Sequence, residues 1–166
     1  MAVKFDDFSF KVKAALDDTT IAWLHEASNE IKSQAQRDCK MDDDAGKQLK
    51  GSYANVVHEG QGQAQIGSPL EQAYWEEWGT GSHAAHGDGR KGWWVYVKGG
   101  SKGNGGKTYS SQQEAQDVAD SMKASGLDAY ATNGREPNYT LERAFGKVKP
   151  KAIQNLENLL KEKMNK

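Results

Sequence analysis

Residues 73–82 read Ala-Tyr-Trp-Glu-Glu-Trp-Gly-Thr-Gly-Ser. Three aromatic rings and two acids fall within five positions and are followed by Gly-Thr-Gly, so an ordered segment runs directly into a sharp turn. If the segment is a strand, Tyr74, Glu76 and Trp78 share one side, and both sides mix rings with acids. Two interpretations follow: a strand edge or short helix whose rings enter the core of this chain, or an interface with a second surface.

The bulk composition indicates one domain with a modest core and long loops. The chain has 166 residues, 36% of them hydrophobic, and 18 are glycine. This length is sufficient to bury a core without disulfides or metals. We therefore expect a single domain over residues 1–166.

The charge balance and the single cysteine limit the class of partner. There are 22 basic and 23 acidic residues, a net charge of -1, so no global field attracts phosphate backbones or anionic lipid. Cys39 has no partner for an internal disulfide, which fits a reducing compartment. No apolar run approaches the roughly 18 to 20 residues that span a bilayer, and no signal-peptide hydrophobic region is present. We expect a chain that is made in a cytoplasm and has no membrane partner.

The N-terminal part predicts a long one-sided helix. Residues 1–16 alternate weakly and favour an entry strand or a short arm, and residues 17–20, Asp-Asp-Thr-Thr, supply capping chemistry for a helix start. Apolar and small residues then recur at helical spacing until about Cys39. Residues 41–46 are expected to form a solvated loop.

Short extended segments follow. Residues 52–59 and 64–67 read as two strands, and the Glu-Gly-Gln-Gly sequence at 59–62 suits a hairpin connection between them.

A second strand-rich region, residues 93–132, predicts an inserted strand-helix-strand lobe. The sequence Trp-Trp-Val-Tyr-Val is aromatic and β-branched, which is typical of a strand. Ser111 and Glu114 have the spacing of a capping box, and Gly126 is a natural helix stop. The expected order is a strand at 93–97, a flexible glycine-rich spacer at 99–106, a helix beginning near Ser111, and a strand at 127–132.

The C-terminal segment predicts a second long helix. Pro150 suits the first turn of a helix, where its missing N–H costs nothing. Four apolar residues share one face after it: Ile153, Leu156, Leu159 and Leu160. The predicted class is α+β, an antiparallel sheet backed by an N-terminal and a C-terminal long helix, with the 93–132 lobe inserted.

One cluster offers metal chemistry. His83, His86 and Asp88 carry imidazole and carboxylate ligands that suit zinc, with His58 as a remote fourth ligand and Glu76 as a general base. The cluster lies in a glycine-rich loop, which has no rigid element to fix its geometry, so polar loop residues are the favoured interpretation. We predict no catalytic, cofactor or metal residues, and keep a metal-dependent hydrolase or nuclease as an alternative.

Three segments carry a family resemblance. Residues 74–81, Tyr-Trp-Glu-Glu-Trp-Gly-Thr-Gly, are similar to a Tyr-Ala-x-Tyr-x-Glu-x-Gly-Thr signature. Residues 49–53 fall where a Thr-Gly-x-Leu-x-x-Ser motif is expected, and the motif is degenerate in this chain. Residues 137–145 stand in the place of Pro-Phe-Leu-x-Pro-Ala. In this order the chain resembles the tail-component or tail-completion proteins of long-tailed bacteriophages, which are encoded among the head-to-tail joining genes.

The resemblance implies a structural virion protein of the tail or neck, assembled in the host bacterial cytoplasm and without catalysis or cofactors. Its partners would be copies of itself in a ring, expected to be a hexamer, and neighbouring connector, stopper, tail-terminator or tail-tube proteins, with transient DNA passage through the lumen. A small aromatic-faced binding module is a further alternative. The residues expected at interfaces are Tyr74, Trp75, Glu77, Trp78, Gly79, Thr80, Trp93 and Trp94.

Overall fold

The structure is a computed structural model that describes residues 9–40, 44–98 and 106–165, and it confirms the α+β class. The described residues form two separate two-stranded antiparallel sheets. The elements are α1 (Ser9–Asp38), α2 (Asp44–Ser52), β1 (Ala54–His58), β2 (Gln63–Gly67), α3 (Glu71–Trp78), β3 (Trp94–Val97), α4 (Gln112–Ala124), β4 (Ala129–Thr132) and α5 (Thr140–Met164).

The chain divides into two compact units. Unit 1 comprises Met1–Leu70 and Thr140–Lys166, and unit 2 comprises Glu71–Tyr139, which contains the predicted 93–132 lobe. Unit 2 is thus inserted in the sequence of unit 1.

Unit 1 is built on the packing of α1 along α5. The predicted row of small and apolar residues on α1 is buried at Ser28, Ile31 and Ala35, and it continues to Cys39. The indole Nε1 of Trp23 donates a 2.6 Å hydrogen bond to the carbonyl of Ala152 on α5. This bond joins helices that are far apart in sequence.

The predicted hairpin in unit 1 is confirmed. β1 and β2 pair in antiparallel register from Ala54 opposite Gly67 to His58 opposite Gln63. A 3₁₀ turn, Glu59–Gln61, connects them, and Gly62 closes it in the left-handed region.

The predicted lobe in unit 2 is also confirmed. β3 and β4 pair antiparallel, and the helix α4 covers one face of this sheet through a buried cluster that includes Val95, Ala115 and Ala119. The Ser111 hydroxyl accepts the 3.2 Å bond from the Glu114 N–H that the capping box predicts. The Glu114 carboxylate reaches back to the N–H of Ser110, one residue earlier than the motif requires.

Both long helices begin earlier than predicted. α1 extends back to Ser9, so the described part of residues 1–16 is helical rather than a strand or arm, and residues 1–8 lie outside the described structure. The residues just before the predicted cap at 17–20 include Lys, Ala and Leu, which are good helix formers. Their helix propensity outweighs the local capping signal. α5 begins at Thr140, so Pro150 lies in its interior and not in its first turn.

The loop expected at 41–46 is wrong for its described part, and the first strand begins at Ala54, later than the predicted residue 52. Residues 44–52 form α2, in which Leu49 is fully buried, and residues 41–43 are outside the described structure.

The segment 71–78 is a helix, which decides between the strand and helix interpretations. The spacer falls largely on residues 99–105, which are not described. Among described residues, the helices lack the combination of length and apolar character needed to cross a bilayer.

Candidate functional site

Helix α3 has the reverse of the usual side-chain polarity. Tyr74 and Trp75 are 49% and 40% exposed, whereas the next two residues, Glu76 and Glu77, are buried, Glu76 completely. Successive residues of a helix are rotated by about 100°, so two adjacent pairs lie on opposite sides. A buried acid and an exposed large ring are both uncommon and therefore informative.

The buried carboxylate of Glu76 is held by one cation and one amide. The Arg135 guanidinium lies 2.8 Å from its Oε2, and the Asn138 side-chain amide donates to its Oε1 at 2.9 Å. The Asn138 N–H also donates to the Glu76 carbonyl, and the Tyr139 N–H donates to the Glu77 carbonyl. A buried charge needs such partners, because it is otherwise strongly destabilising. These bonds fix α3 to the segment after β4.

The turn after α3 is bonded to the same segment. The Thr80 N–H donates to the Arg135 carbonyl at 2.9 Å, and the Ser82 N–H donates to the Asn133 carbonyl at 2.8 Å. The Arg135 N–H in turn donates to the Thr80 hydroxyl at 3.0 Å. Gly81 lies at φ +63, in close contact with the Asn133 carbonyl and the Trp94 ring. The Gly-Thr-Gly sequence therefore brings Trp94 against the turn.

The face of the β3–β4 sheet opposite α4 is aromatic. Val95 packs toward α4, so the alternation of a strand places Trp94 and Tyr96 on the other face. Tyr96 stacks on Tyr130 of β4 with ring centroids 5.5 Å apart. A side-chain hydrogen bond to Asp128, and the negative charge of that residue, raise the pKa of Tyr130 above its ordinary value of 10.

Together these elements form an open groove of about 550 Å³ in unit 2, here named the aromatic groove. It is lined by Tyr74, Trp75, Gly79, Thr80, Gly81, Ala84, Asp88, Gly89, Arg90, Trp94, Tyr96 and Val97. The Arg90 guanidinium lies 4.8 Å from the Trp94 ring centroid and donates to the Lys107 carbonyl at 2.6 Å. The groove therefore combines ring faces with one carboxylate and one guanidinium that is already engaged.

The groove brings together five of the eight residues predicted at interfaces: Tyr74, Trp75, Gly79, Thr80 and Trp94. The other three predicted residues do not line the groove. Glu77 is buried, Trp78 packs against His86 and Tyr139, and Trp93 packs on the α4 cluster.

Sequence reasoning missed Tyr96 and Arg90, and it considered Asp88 only as a metal ligand. Tyr96 could have been found from the alternation of side chains along β3, because residues two apart in a strand share a face and Tyr96 therefore lies on the same face as Trp94. Arg90 carried no such signal.

Three of the candidate metal ligands make contacts of another kind. His83 Nδ1 lies 2.6 Å from Glu136 Oε1, and His86 packs on the Trp78 ring at 4.6 Å between centroids. His58 lies in unit 1, beside Gln65. In the described ranges, no three His, Cys, Asp or Glu side chains are grouped closely enough to hold a metal ion.

Comparison with known protein families, with curated proteins and with solved structures gave no significant match.

Proposed function

We propose that this chain is a structural subunit of the tail or neck of a long-tailed bacteriophage, which completes the head-proximal end of the tail or joins head to tail as part of an oligomeric ring. The observation that carries the proposal is the reversed polarity of α3. The stretch that resembles the family signature turns two large rings, Tyr74 and Trp75, toward solvent while its acids are buried. Exposed apolar surface of this kind marks an interaction site.

The groove supports the same proposal. A ring closes through heterologous contacts, in which one patch meets a different patch on the next subunit. Aromatic side chains in a recessed surface act as anchors for such contacts, and surrounding polar residues exclude water. The partners would be further copies, in a sixfold ring, and the connector, stopper, tail-terminator or tail-tube proteins next to it. The overall charge of -1 would let DNA pass through a lumen without strong attachment.

Immuno-electron microscopy tests the proposal directly. Antibody to this protein is applied to virions and separated tails from the strain that encodes it, and label is expected at the head-tail junction or the head-proximal tail end. A lysate with labelled soluble protein and unlabelled particles would overturn the proposal.

A variant then connects the groove with assembly. A phage lacking the gene is complemented with wild type, Trp75→Ala or Leu127→Ala, and joined particles are counted. Leu127 is about as exposed as Trp75 but lies outside the groove, so it is the matched control. We expect Trp75→Ala to abolish joined particles while the protein stays folded, and Leu127→Ala to complement.

A small binding module is the second candidate, and the groove volume favours it. About 550 Å³ lies within the range of ligand sites, and exposed rings suit carbohydrate or peptide. A chain that stays monomeric at all concentrations and gives saturable binding to oligosaccharides by titration calorimetry would support this function over the ring.

For a metal-dependent hydrolase using His83, His86 and Asp88, stoichiometric zinc or manganese in protein purified without chelators would be the supporting result.

A further inference from the structure

Helix α5 carries a second row of side chains beside the row that it buries. Ala144, Val148 and Ala152 are buried, whereas Phe145 and Ile153, each one position further along, are 50% and 44% exposed. Lys149 lies midway between these two, with its Nζ 5.7 Å from the Phe145 ring centroid. Spacing of four residues places Phe145, Lys149 and Ile153 on one side of the helix, and we name them the exposed row.

The exposed row is chemically complementary to the aromatic groove. The groove offers exposed rings, above all Tyr74, Trp75 and Tyr96, and one exposed carboxylate, that of Asp88. Asp88 has no ion-pair partner among the residues that the structure describes. The row offers two apolar side chains and one ammonium group over about 12 Å of helix.

An amphipathic helix lying in an apolar groove is a common mode of recognition, in which anchors occur at i, i+4 and i+8 or similar spacing. The aromatic faces of the groove also attract a cation directly. The other charged group of the groove, the Arg90 guanidinium, already contacts the Lys107 carbonyl and the Trp94 ring. Asp88 is therefore the charged side chain of the groove that can pair with a docking partner.

We infer that the exposed row of one copy docks in the aromatic groove of the next copy, with the Lys149 ammonium facing the Asp88 carboxylate. The two patches differ, so the contact is heterologous and repeats from subunit to subunit. This contact rests on the proposed function, because a ring requires self-assembly, and it specifies which two surfaces of neighbouring copies meet.

A charge-swap cycle tests this contact. Self-association of wild type, Asp88→Lys, Lys149→Asp and the double variant is measured by sedimentation velocity over a wide concentration series, with circular dichroism as the check of folding. We expect each single reversal to weaken association roughly tenfold and the double variant to recover most of that loss, because the pair is restored with opposite signs. Asp117→Lys and Lys161→Asp are the matched controls, since they change the same charges on exposed helix positions outside both surfaces.

Apolar anchors give a second test that does not depend on charge. Ile153→Ser in the row and Trp75→Ala in the groove should each weaken association by about thirtyfold, the loss typical of an anchor residue. Combining them should give little further loss, because both remove one contact.

Three results would overturn the inference: a chain that is monomeric at every concentration, single reversals that behave like the controls, or a double variant that shows no recovery. Its failure is distinguishable from failure of the proposed function. Label at the head-tail junction together with a monomeric chain rejects this contact only, whereas a charge swap that restores association in a chain absent from particles rejects only the phage assignment.

Discussion

Gly81 has no room for a side chain. It lies at φ +63, and a Cβ there would approach the Trp94 ring to 2.5 Å, whereas Gly87 at φ +71 has no atom within 4 Å of the equivalent position. Gly87→Ala should therefore cost only the left-handed backbone penalty, about 1 kcal/mol. Gly81→Ala should cost that and the steric displacement of both the Asn133 carbonyl and the Trp94 ring, about 3 kcal/mol or more of unfolding free energy.

Urea unfolding followed by circular dichroism measures both glycine variants. Equal losses at the two positions would show that the turn after α3 can shift to admit a methyl group, and that its contact with Trp94 is not tight.

The ion pair between α1 and α5 makes stability depend on pH. Burial of the Asp38 carboxylate acts to raise its pKa, but hydrogen bonds from Lys147 and Gln34, and the positive charges of Lys147 and Arg143, outweigh burial and lower the pKa below its ordinary 3.8. The Lys147 Nζ lies 2.6 Å from Asp38 Oδ1. A depressed pKa contributes stability that is present above pH 4 and is lost as pH falls through the folded-state value.

Lys147→Gln should accordingly destabilise the protein by about 1 kcal/mol at pH 7, a modest value because the lysine is half-exposed. The difference from wild type should shrink as the pH falls below about 4 and Asp38 becomes protonated. Thermal unfolding of wild type and Lys147→Gln at several pH values measures this stability difference. Lys151→Gln, at an exposed position one turn further along α5, is the control. A constant difference across this range would contradict the assigned role of Asp38.

Pro150 is an interior defect of helix α5. It removes one main-chain donor, and its ring crowds the carbonyl of Gly146 one turn before. Pro150→Ala restores this bond and should stabilise unit 1 by about 1 to 3 kcal/mol. Lys151→Ala, at an exposed position of the same helix, is the control and should stay within about 0.5 kcal/mol. A loss of stability in Pro150→Ala, measured by thermal unfolding, would show that the proline ring packs usefully.

Elements with strong local chemistry could be predicted from the sequence. The β1–β2 hairpin follows from turn residues between two extended segments, and α4 follows from Ser111 at its start and Gly126 at its end, which lies at φ +85 as a left-handed helix stop requires. The starts of α1 and α5 lie before their predicted positions, because capping-type residues and proline indicate boundaries that neither helix has. In α1 the good helix formers before the cap outweigh the capping signal, and in α5 the buried row continues across Pro150 from Val148 to Ala152.

The aromatic groove was harder to predict. Its rings were recognisable as interface candidates, but α3 reads equally as strand or helix when only periodicity is considered. Which rings face outward depends on Glu76 finding Arg135 and Asn138, 59 or more positions later in the chain, and such a partnership has no local signature.

The two compact units give the molecule two separate cores. Ala144 is completely buried in unit 1, and Ala115 is completely buried in unit 2. An unpaired charge at either position should remove about 3 kcal/mol or more from the core that receives it. We expect Ala144→Asp to lose amide-exchange protection mainly in α1 and α5, and Ala115→Asp to lose it mainly in β3, α4 and β4.

Hydrogen exchange followed by mass spectrometry reads both units in one experiment, and each variant is the control for the other. Loss of protection throughout the chain in both variants would show that the units unfold as one cooperative body.

The bond from the Trp23 indole to the Ala152 carbonyl spans 129 positions, and this has a consequence for synthesis on the ribosome. Unit 2 is contiguous, so it can complete its core as soon as residue 139 has emerged, in keeping with the folding of domains as units during translation. The buried row of α1 must wait until α5 has been made. For most of translation the N-terminal helix therefore presents an uncovered surface, and a chaperone that binds nascent chains would have its longest opportunity there.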